Sequence, residues 1–487
     1  MDLKGRQKVV IPISREDFYN DIKGSLEEHI GTAVKIHKKN VEEIQYIHKQ
    51  YLGIQDLLSE KKRYDSSEIN NLVVENHVNK QVNFKVGFMY GNPIEYTITN
   101  EKKINTDDLS YLNIYFNDVN KSSLDIEKAQ DLYEYGLAYQ RIIPKRTIIE
   151  DYESESPFEL VNMPIDKTCV VYSNDIPNEE LFSLVISTKK VDKRDRTIYQ
   201  IFMPYHKYEY DNYLGKIVVD KEQPFKFNPI VEFCLNKDRV GIIELVLSLQ
   251  NLINKIDSLQ IDDIEESINS FMVLFNQKLD DDFLKKFKDL KKKRVLVLNT
   301  NNPQIPADMK ILSNELKQEA VNIFYERVVK AMYDIVAVPQ ASGNVTSGGD
   351  TGQARLLGNG WESAQNQAQI DQTYLTQFER NLLKCVLRVC KDTANCPISE
   401  INSSDIAIKF NINMSNNLLV KSESMKLLND IGLPKKAILN ICGITKDIDG
   451  LGDAWEKNVQ KMKQEELEME NSKTNKTENN DNKNLNE

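Results

Sequence analysis

The segment Gly348-Gly349-Asp350-Thr351-Gly352-Gln353 has the small residues and the hydroxyl from which a backbone cradle for phosphate could be built. A nucleotide-hydrolysing loop also needs a lysine that reaches the phosphates and a following Ser or Thr for magnesium. No GK[ST] occurs in the chain, so nucleotide hydrolysis is not expected. Asp280-Asp281-Asp282 could hold a metal ion, but acids at the start of a charged helix also complement its macrodipole, which is the better reading. The histidines, at 29, 37, 48, 77 and 206, form no HExxH. His29 and His37 lie on a polar helix with no carboxylate partner at ligand spacing and read as solvated. The cysteines, at 169, 234, 385, 390, 396 and 442, include no CxxC, which leaves out a zinc ribbon and a thioredoxin-like motif. Cys385, Cys390 and Cys396 read as buried thiols, two of them on a helical apolar stripe. Neither GxSxG nor GxGxxG is present. The expectation is a chain that is not an enzyme and has no catalytic residue, metal or cofactor.

Two charge patterns remain. The stretch 285–294 sets Lys285, Lys286, Lys288, Lys291, Lys292, Lys293 and Arg294 against one acid. It is either a solvated helix face or a contact for an acidic partner. The stretch 257–266 carries Asp257, Asp262, Asp263, Glu265 and Glu266 on a long helix. These acids are either solvated or form a repulsive wall that keeps nucleic acid from sticking. The whole chain of 487 residues has 63 Lys plus Arg against 74 Asp plus Glu, a net charge of -11, which argues against wrapping nucleic acid with a basic face. The start has no apolar signal region, and the greasiest run, Ile242 to Leu249, contains Glu244 and is too short to span a bilayer. Folding in a reducing cytoplasm, with no membrane partner, is expected.

These residues need elements to position them. Residues 14–52 read as one helix, opened by Ser14 and Asp17 in a capping-box arrangement and carrying Ile30, Val34, Ile36, Val41, Ile44 and Ile47 at helical spacing. Residues 66–90 read as a second helix, with Val74, Val78, Val82 and Val86 four apart and Gly91-Asn92-Pro93 as the stop. A β-branched run follows at Ile94 to Thr99. Short alternating runs at 137–143, 167–172, 182–188, 197–203 and 214–219 predict a β-rich, mostly antiparallel region over 135–235. Residues 241–268 return to helix, with Leu245, Leu249, Leu252, Ile256, Leu259 and Ile264 as the apolar face. A small α/β unit (strand 271–275, charged helix 280–293, then Val295 to Leu298) leads to another helix over 314–337 that ends at Pro339.

Six of the chain's 19 glycines fall between 343 and 360, which marks a mobile loop. One long helix follows over 353–391, about 57 Å at 1.5 Å per residue. Its heptad-like stripe is Trp361, Ala368, Leu375, Leu382 and Val389, with Asp371 as a polar intruder and an amide-rich opposite face. A helix packed on neighbours in an assembly fits this better than an isolated coiled coil. Residues 396–470 give one strand (406–412) and three helices, the third beginning near Asp453. The Asn-rich stretch from 471 onward reads as disordered.

The order of short motifs points to a family. A helix ends in Tyr51-Leu52-Gly53, and the next runs into Val86-Gly87-Phe88-Met89-Tyr90-Gly91-Asn92-Pro93. Tyr135-Gly136-Leu137-Ala138-Tyr139 opens the β region and Asn228-Pro229-Ile230-Val231-Glu232-Phe233 closes it. With the later helices and Gly-rich loop, this resembles the portal proteins of tailed bacteriophages, in the siphophage form of Gram-positive hosts, over about residues 25–465.

The resemblance implies an α+β, elongated portal subunit. Residues 1–240 would be a β-rich wing, 241–268 and 314–339 the stem helices, and 269–313 the clip. Residues 340–354 would be the tunnel loop, 355–395 a long tunnel and wing helix, 396–470 a helical crown and 471–487 a tail. It implies a homo-oligomeric ring, usually a dodecamer, at one capsid vertex of the virion, assembled in the host cytoplasm. Double-stranded DNA would pass through the channel during packaging and ejection. The terminase large subunit, a head–tail adaptor, the scaffold and the major capsid protein would be its partners. The DNA-facing loop would be Ser342, Gly343, Asn344, Val345, Thr346, Ser347, Gly348, Gly349, Asp350 and Thr351. The basic stretch 285–294 would dock clip partners, and the acids of 257–266 would line the channel. Twelve copies of the net charge would sum to roughly -132 around one channel. A non-conducting structural adaptor is the alternative reading, and a packaging enzyme, lacking a P-loop lysine or a carboxylate cluster, comes behind both.

Overall fold

A computed structural model describes residues 3–60, 69–99, 106–145, 155–191, 193–223, 226–268, 271–275, 304, 308–312, 318–340, 360–394, 396–413, 418–442 and 450–461. They divide between two compact units. One is Met1–Ala341 with Gly360–Asn413 and the other is Ser342–Asn359 with Met414–Glu487. Among the described residues no helix is long and apolar enough to cross a membrane.

In the first unit, helices are mixed with four sheets among the described residues, one six-stranded, one three-stranded and two two-stranded, the mixed architecture that the sequence predicts. The chain opens with β1 (Val9–Val10), α1 (Arg15–Asn20) and α2 (Ile22–Tyr51). The single helix expected over 14–52 is broken at Asp21. This residue leaves helical geometry (φ -140°, ψ 82°) and uses its side chain to accept from the Gly24 N–H, so it caps α2. Ser14 caps α1 in turn: its Oγ accepts from the Asp17 N–H at 3.1 Å and donates to the Asp17 carboxylate at 2.7 Å. A six-stranded sheet takes the inner face of α2. Its order is β1, β5 (Thr168–Tyr172), β6 (Glu180–Val191), β7 (Arg194–Met203), β8 (His206–Asp211), β9 (Lys216–Glu222). All neighbours are antiparallel except the short parallel β1–β5 pair. Phe18, Leu26, Ile30, Phe182, Leu184 and Ile201 form its core. His37 is on this inner face too. It is buried, its Nε2 lies 3.1 Å from the Asp166 carbonyl, and burial lowers its pKa, so the expectation of a solvated histidine is corrected. α2 is longer and more two-sided than a polar surface helix.

Helix α3 (Leu57–Glu60) follows α2. α4 covers His77–Tyr90, shorter than the expected 66–90, because residues 69–76 are not helical and Asn76 caps the helix by accepting from the Asn79 N–H. β2 (Glu95–Ile98), α5 (Thr106–Asp118) and α6 (Lys121–Tyr135) come next, the last two absent from the sequence reading. α6 ends at Gly136, whose φ of 79° and close approach to the 239–240 backbone, 2.5 Å for a built Cβ, exclude a side chain. β3 (Leu137–Pro144), β4 (Phe158–Met163) and β10 (Ile230–Cys234) form a three-stranded antiparallel sheet in the order β10-β3-β4.

α7 (Ile242–Ile268), the hairpin strands β11 (Phe271–Phe275) and β12 (Asp308–Leu312), α8 (Gln318–Ile335) and α9 (Trp361–Asp392) complete the helical part. β13 (Ile406–Lys409) pairs antiparallel with β2, so residues 396–413 belong to the first unit and not with the helices that follow them. The second unit contains α10 (Leu418–Asp430), α11 (Lys435–Cys442) and α12 (450–461). Its third helix begins before the expected Asp453, and Lys436 pairs with Asp453 at 2.9 Å. All six cysteines are free thiols, five buried and Cys385 half-buried.

Candidate functional site

Of the apolar face that the sequence assigns to α7, Ile256 is buried, Leu249 and Leu252 are half-buried, and Leu245, Leu259 and Ile264 are turned outward. Leu245 is 53% exposed and Ile264 42%. The inner face also carries Gln250, Asn254, Ser258 and Asp262, four polar residues spaced four apart and all fully buried. They are buried because each meets the backbone of the extended segment 71–77. The Asn71 N–H donates to Asp262 Oδ1 (2.7 Å), Val73 N–H to Ser258 Oγ (3.0 Å), Glu75 N–H to Asn254 Oδ1 (3.0 Å) and His77 N–H to Gln250 Oε1 (3.1 Å). Gln250 Nε2 returns a bond to the Glu75 carbonyl at 2.6 Å. The match is geometric: four helical residues advance about 6.0 Å and two extended residues about 6.6 Å, so rungs recur in step. Every second N–H of a chain with no strand partner is thereby satisfied. Replacing Ser258 by Ala adds no atom to the buried site and removes an acceptor from the buried Val73 N–H. The expected loss is about 1–3 kcal/mol, read by urea denaturation followed through Trp361; an unchanged midpoint would remove the ladder's energetic role.

α8 runs antiparallel to α7. Gln260 Nε2 donates to Asn322 Oδ1 at 3.2 Å near one end, and His77, seated on Gln250, reaches Tyr333 at the other. Between them the Tyr325 hydroxyl donates to the Glu75 carboxylate. Beyond α8, Val336, Ala337 and Val338 are buried and the chain reaches Pro339. Gly360 has φ 82°, and a Cβ built on it would lie 3.8 Å from the Pro339 Cα. The connection 341–359 therefore leaves and returns at one point. Trp361 fixes the return by packing on Phe84 and Phe88 of α4, with ring centroids 5.9 and 6.0 Å apart.

α9 starts at Trp361, with Gly360 as its cap, and not at the expected 353. Of the predicted stripe, Ala368, Leu375, Leu382 and Val389 are buried and Trp361 is half-buried; Ala364 is buried beside them. Two acids share that face. Asp371 accepts from the Tyr133 hydroxyl (3.0 Å) and from Gln367 (2.9 Å), and burial raises its pKa. Glu379, overlooked in the sequence, sits between two buried lysines of α6, with Oε1 2.6 Å from Lys121 Nζ and Oε2 3.1 Å from Lys128 Nζ. Asp125 completes the group at 2.7 Å from Lys121 and 2.8 Å from Lys128, and the Tyr96 hydroxyl donates to Glu379 at 2.7 Å.

The predicted site residues fare unequally. The loop 342–351 and the basic stretch 285–294, with Asp280-Asp281-Asp282, lie outside the described residues. Of the helix acids, Asp262 is buried against Asn71 and offers no charge to solvent, which corrects its reading as a solvated or channel-lining acid. Glu265 accepts from the Asn71 amide at 2.8 Å. Asp257 is half-buried and engaged with Glu75, Asp263 is exposed, and the side chain of Glu266 is outside the described set. Among the described residues no group of His, Cys, Asp and Glu could hold a metal ion. Both helices bury apolar residues, Ile243, Val246 and Ile253 on α7 and Val328 and Met332 on α8, and both also leave large apolar side chains exposed.

The family described as "Phage portal protein, SPP1 Gp6-like" matches residues 31–473. This chain belongs to that family of phage portal proteins. Portal-family membership implies a ring oligomer associated with a capsid, and a structural part in place of a catalytic one. No curated protein matches the chain. Among solved structures it is similar to a chain of the virion of a native gene transfer agent particle, at 12% identity and a TM-score of 0.39. It is also similar to a chain of the neck of an empty gene transfer agent particle computed with C6 symmetry, at 11% identity and a TM-score of 0.40. Each alignment covers 76% of this chain and 90% of the other. For a portal protein, the buried ladder on α7 was the feature the sequence reading missed. Its signal was present as four polar residues at strict i, i+4 spacing along one face of the helix.

Proposed function

We propose that this chain is one subunit of a twelve-membered portal ring that surrounds a DNA channel at a single capsid vertex, in the siphophage form of Gram-positive hosts. α7 and α8 are the stem, 269–313 the clip, 340–354 the tunnel loop, and α9 the helix that ties the loop to the wing. The wing is 1–240 together with 396–413, and the crown begins after 413, because β13 is paired into the larger unit. Double-stranded DNA passes through the ring in packaging and ejection. The clip, with its basic stretch, docks the terminase large subunit and later a head–tail adaptor, and the ring also meets scaffold and major capsid protein.

The observation that carries this reading is the outward apolar face of the antiparallel α7–α8 pair. Leu245 and Ile264 on α7, with Ile323 at 69% and Ile335 at 53% exposure on α8, leave a surface that a neighbouring copy would cover. Head-to-tail contacts of this kind close into rings. The proposed tunnel loop suits passage without grip, since 340–354 contains no Lys or Arg and phosphate affinity comes mainly from cations. Negative-stain microscopy of the purified protein should give rings with a hole wide enough for a DNA duplex. Extended monomers or dimers at high concentration would overturn the reading.

A further inference from the structure

The six-stranded sheet has two unlike faces. Phe182, Leu184, Tyr199, Ile201, Tyr208 and Tyr210 turn toward α2 and form the core. Alternation along the paired strands sends Lys189, Arg194, Arg196, Lys207, Lys216 and Lys221 to the other face. Among the described residues, the acids that β7, β8 and β9 place there are Glu209 and Asp211. Arg141 of β3 joins from the three-stranded sheet. Its guanidinium lies 4.3 Å from the centre of the Phe202 ring, and Lys207 Nζ lies 5.2 Å from the same ring.

Two cross-strand pairs on this face set like charges directly opposite, Lys189 against Arg196 and Lys207 against Lys221. Such pairs cost a sheet stability unless anions stand near them. Glu209 accepts from Lys189 at 2.7 Å and lies 3.5 Å from Lys207, and Asp211 accepts from Arg196 at 3.1 Å. The rest of the face is uncompensated. Arg194, Lys216 and Lys221 are exposed and pair with no acid among the described residues. Arg141 Nε is buried and has no hydrogen-bond partner among the described residues. Burial lowers the Lys207 pKa; Glu209 opposes the shift, while Arg141 and Lys189 add to it. β6 and β7 also pair with each other as far as Val191 and Arg194, past the ends of their pairing with β5 at Val185 and β8 at Ile198, which carries Arg194 out beyond those neighbours.

We propose that this face docks the phosphate backbone of duplex DNA, in a contact separate from the tunnel loop. Seven cations against two acids give the face +5, which the chain's total of -11 conceals. A duplex presents about one charge per 1.7 Å of axis, a continuous line that cations spread over several strands can meet together. An acidic protein is the poorer fit, because the centres of protein–protein interfaces are depleted in lysine and built on apolar anchors, whereas protein–DNA interfaces are polar and strongly positive. That the duplex is DNA rests on the portal reading; the charge chemistry does not.

The test is fluorescence anisotropy of a short labelled DNA duplex of arbitrary sequence, titrated with the full chain from about 50 to 200 mM salt. Arg194→Gln, Lys216→Gln and Lys221→Gln combined should weaken binding about tenfold or more at the lower salt. They should also reduce the slope of log affinity against log salt by about 2.7, at about 0.9 per lost phosphate contact. Lys35→Gln, Lys38→Gln and Lys39→Gln combined remove the same charge from the exposed side of α2, across the sheet, and should change affinity less than about twofold. Absence of binding at the lower salt, or equal losses in the two triple variants, would overturn the proposal. So would an unchanged affinity in the first variant, as binding through 285–294 would give. Displacement of the duplex by polyglutamate at equal charge concentration would overturn it in favour of an acidic protein partner. Ring formation is read separately by microscopy, so the portal reading and this one can fail independently.

Discussion

Glu379→Leu should destabilise the protein by about 3–5 kcal/mol, because it leaves a buried group of charges out of balance. Lys121, Asp125, Lys128 and Glu379 are each no more than 4% exposed and sum to zero. Burial by itself pushes the Glu379 carboxyl up, but Lys121 and Lys128 outweigh it and hold the group at about 2. Burial likewise pulls Lys128 down and is outweighed by Asp125 and Glu379, and its ammonium also lies 4.3 Å from the centre of the Phe233 ring. The carboxylate's contribution is present above its ordinary 4.5 and is lost as pH falls from there toward about 2. Removing one anion strands a lysine where no water reaches it. Adding Lys128→Met to Glu379→Leu leaves Lys121 and Asp125 as a neutral pair and should recover much of the loss. Urea denaturation of the two variants decides this; a double variant no more stable than the single would show that the charges act independently.

Deleting 343–352 should leave the subunit folded and the ring assembled, yet abolish DNA filling of capsids. The expectation of an intact fold comes from Pro339 and Gly360 meeting at one point. Halving a connection whose ends already coincide changes its closure free energy by only about 0.6 kcal/mol. Trp361 on Phe84 and Phe88 keeps the start of α9 in place whatever the connection's length. The expectation of failed packaging comes from the proposed loop's place at the channel. Microscopy of the variant checks the first half, and encapsidated DNA measured beside the unaltered protein checks the second. Full heads would dismiss the loop as a DNA-facing element.

The two outcomes draw on different kinds of legibility. The seam and the C-terminal end of α9 were readable, because one face of a long helix buries a stripe that repeats in the sequence, from Ala368 to Val389; its start was not, because Gly360 in left-handed geometry caps the helix at Trp361 and not at 353. Five strands of the β region (β3, β5, β6, β7 and β9) were readable from alternation between short connections, whereas β4, β8 and β10 lie outside the runs that the sequence marks. α5 and α6 were passed over although Leu112, Tyr115 and Phe116, then Ala129, Leu132 and Tyr133, have helical spacing; all of them are buried. The partly outward face of α7 has a physical cause. Hydrophobic period identifies a face that wants covering, but not what covers it. In this single chain part of the covered face lies on segment 71–77, whose backbone needs polar partners, while Ile256 of the predicted face is buried and Leu245 and Ile264 are left outward. Glu379 was overlooked because its compensating lysines are about 250 residues away, and no local spacing reports such a pair.

The ladder has a further consequence for how this chain could have changed over time. Four rungs couple a helix and an extended segment residue by residue, with Gln250 also reaching the Val78 N–H where the segment turns into α4. A single inserted residue between 250 and 262 rotates every later rung about 100° off the seam, and one inserted between 71 and 77 points alternate N–H groups away from α7. Neither error is repaired by local bending, because the two rises, about 6.0 and 6.6 Å per rung, leave little slack before the pairs fall out of phase. Insertions in either stretch should therefore cost stability, whereas the connection 341–359 joins two points, Pro339 and Gly360, that already lie together, so a change in its length asks little of the fold around it.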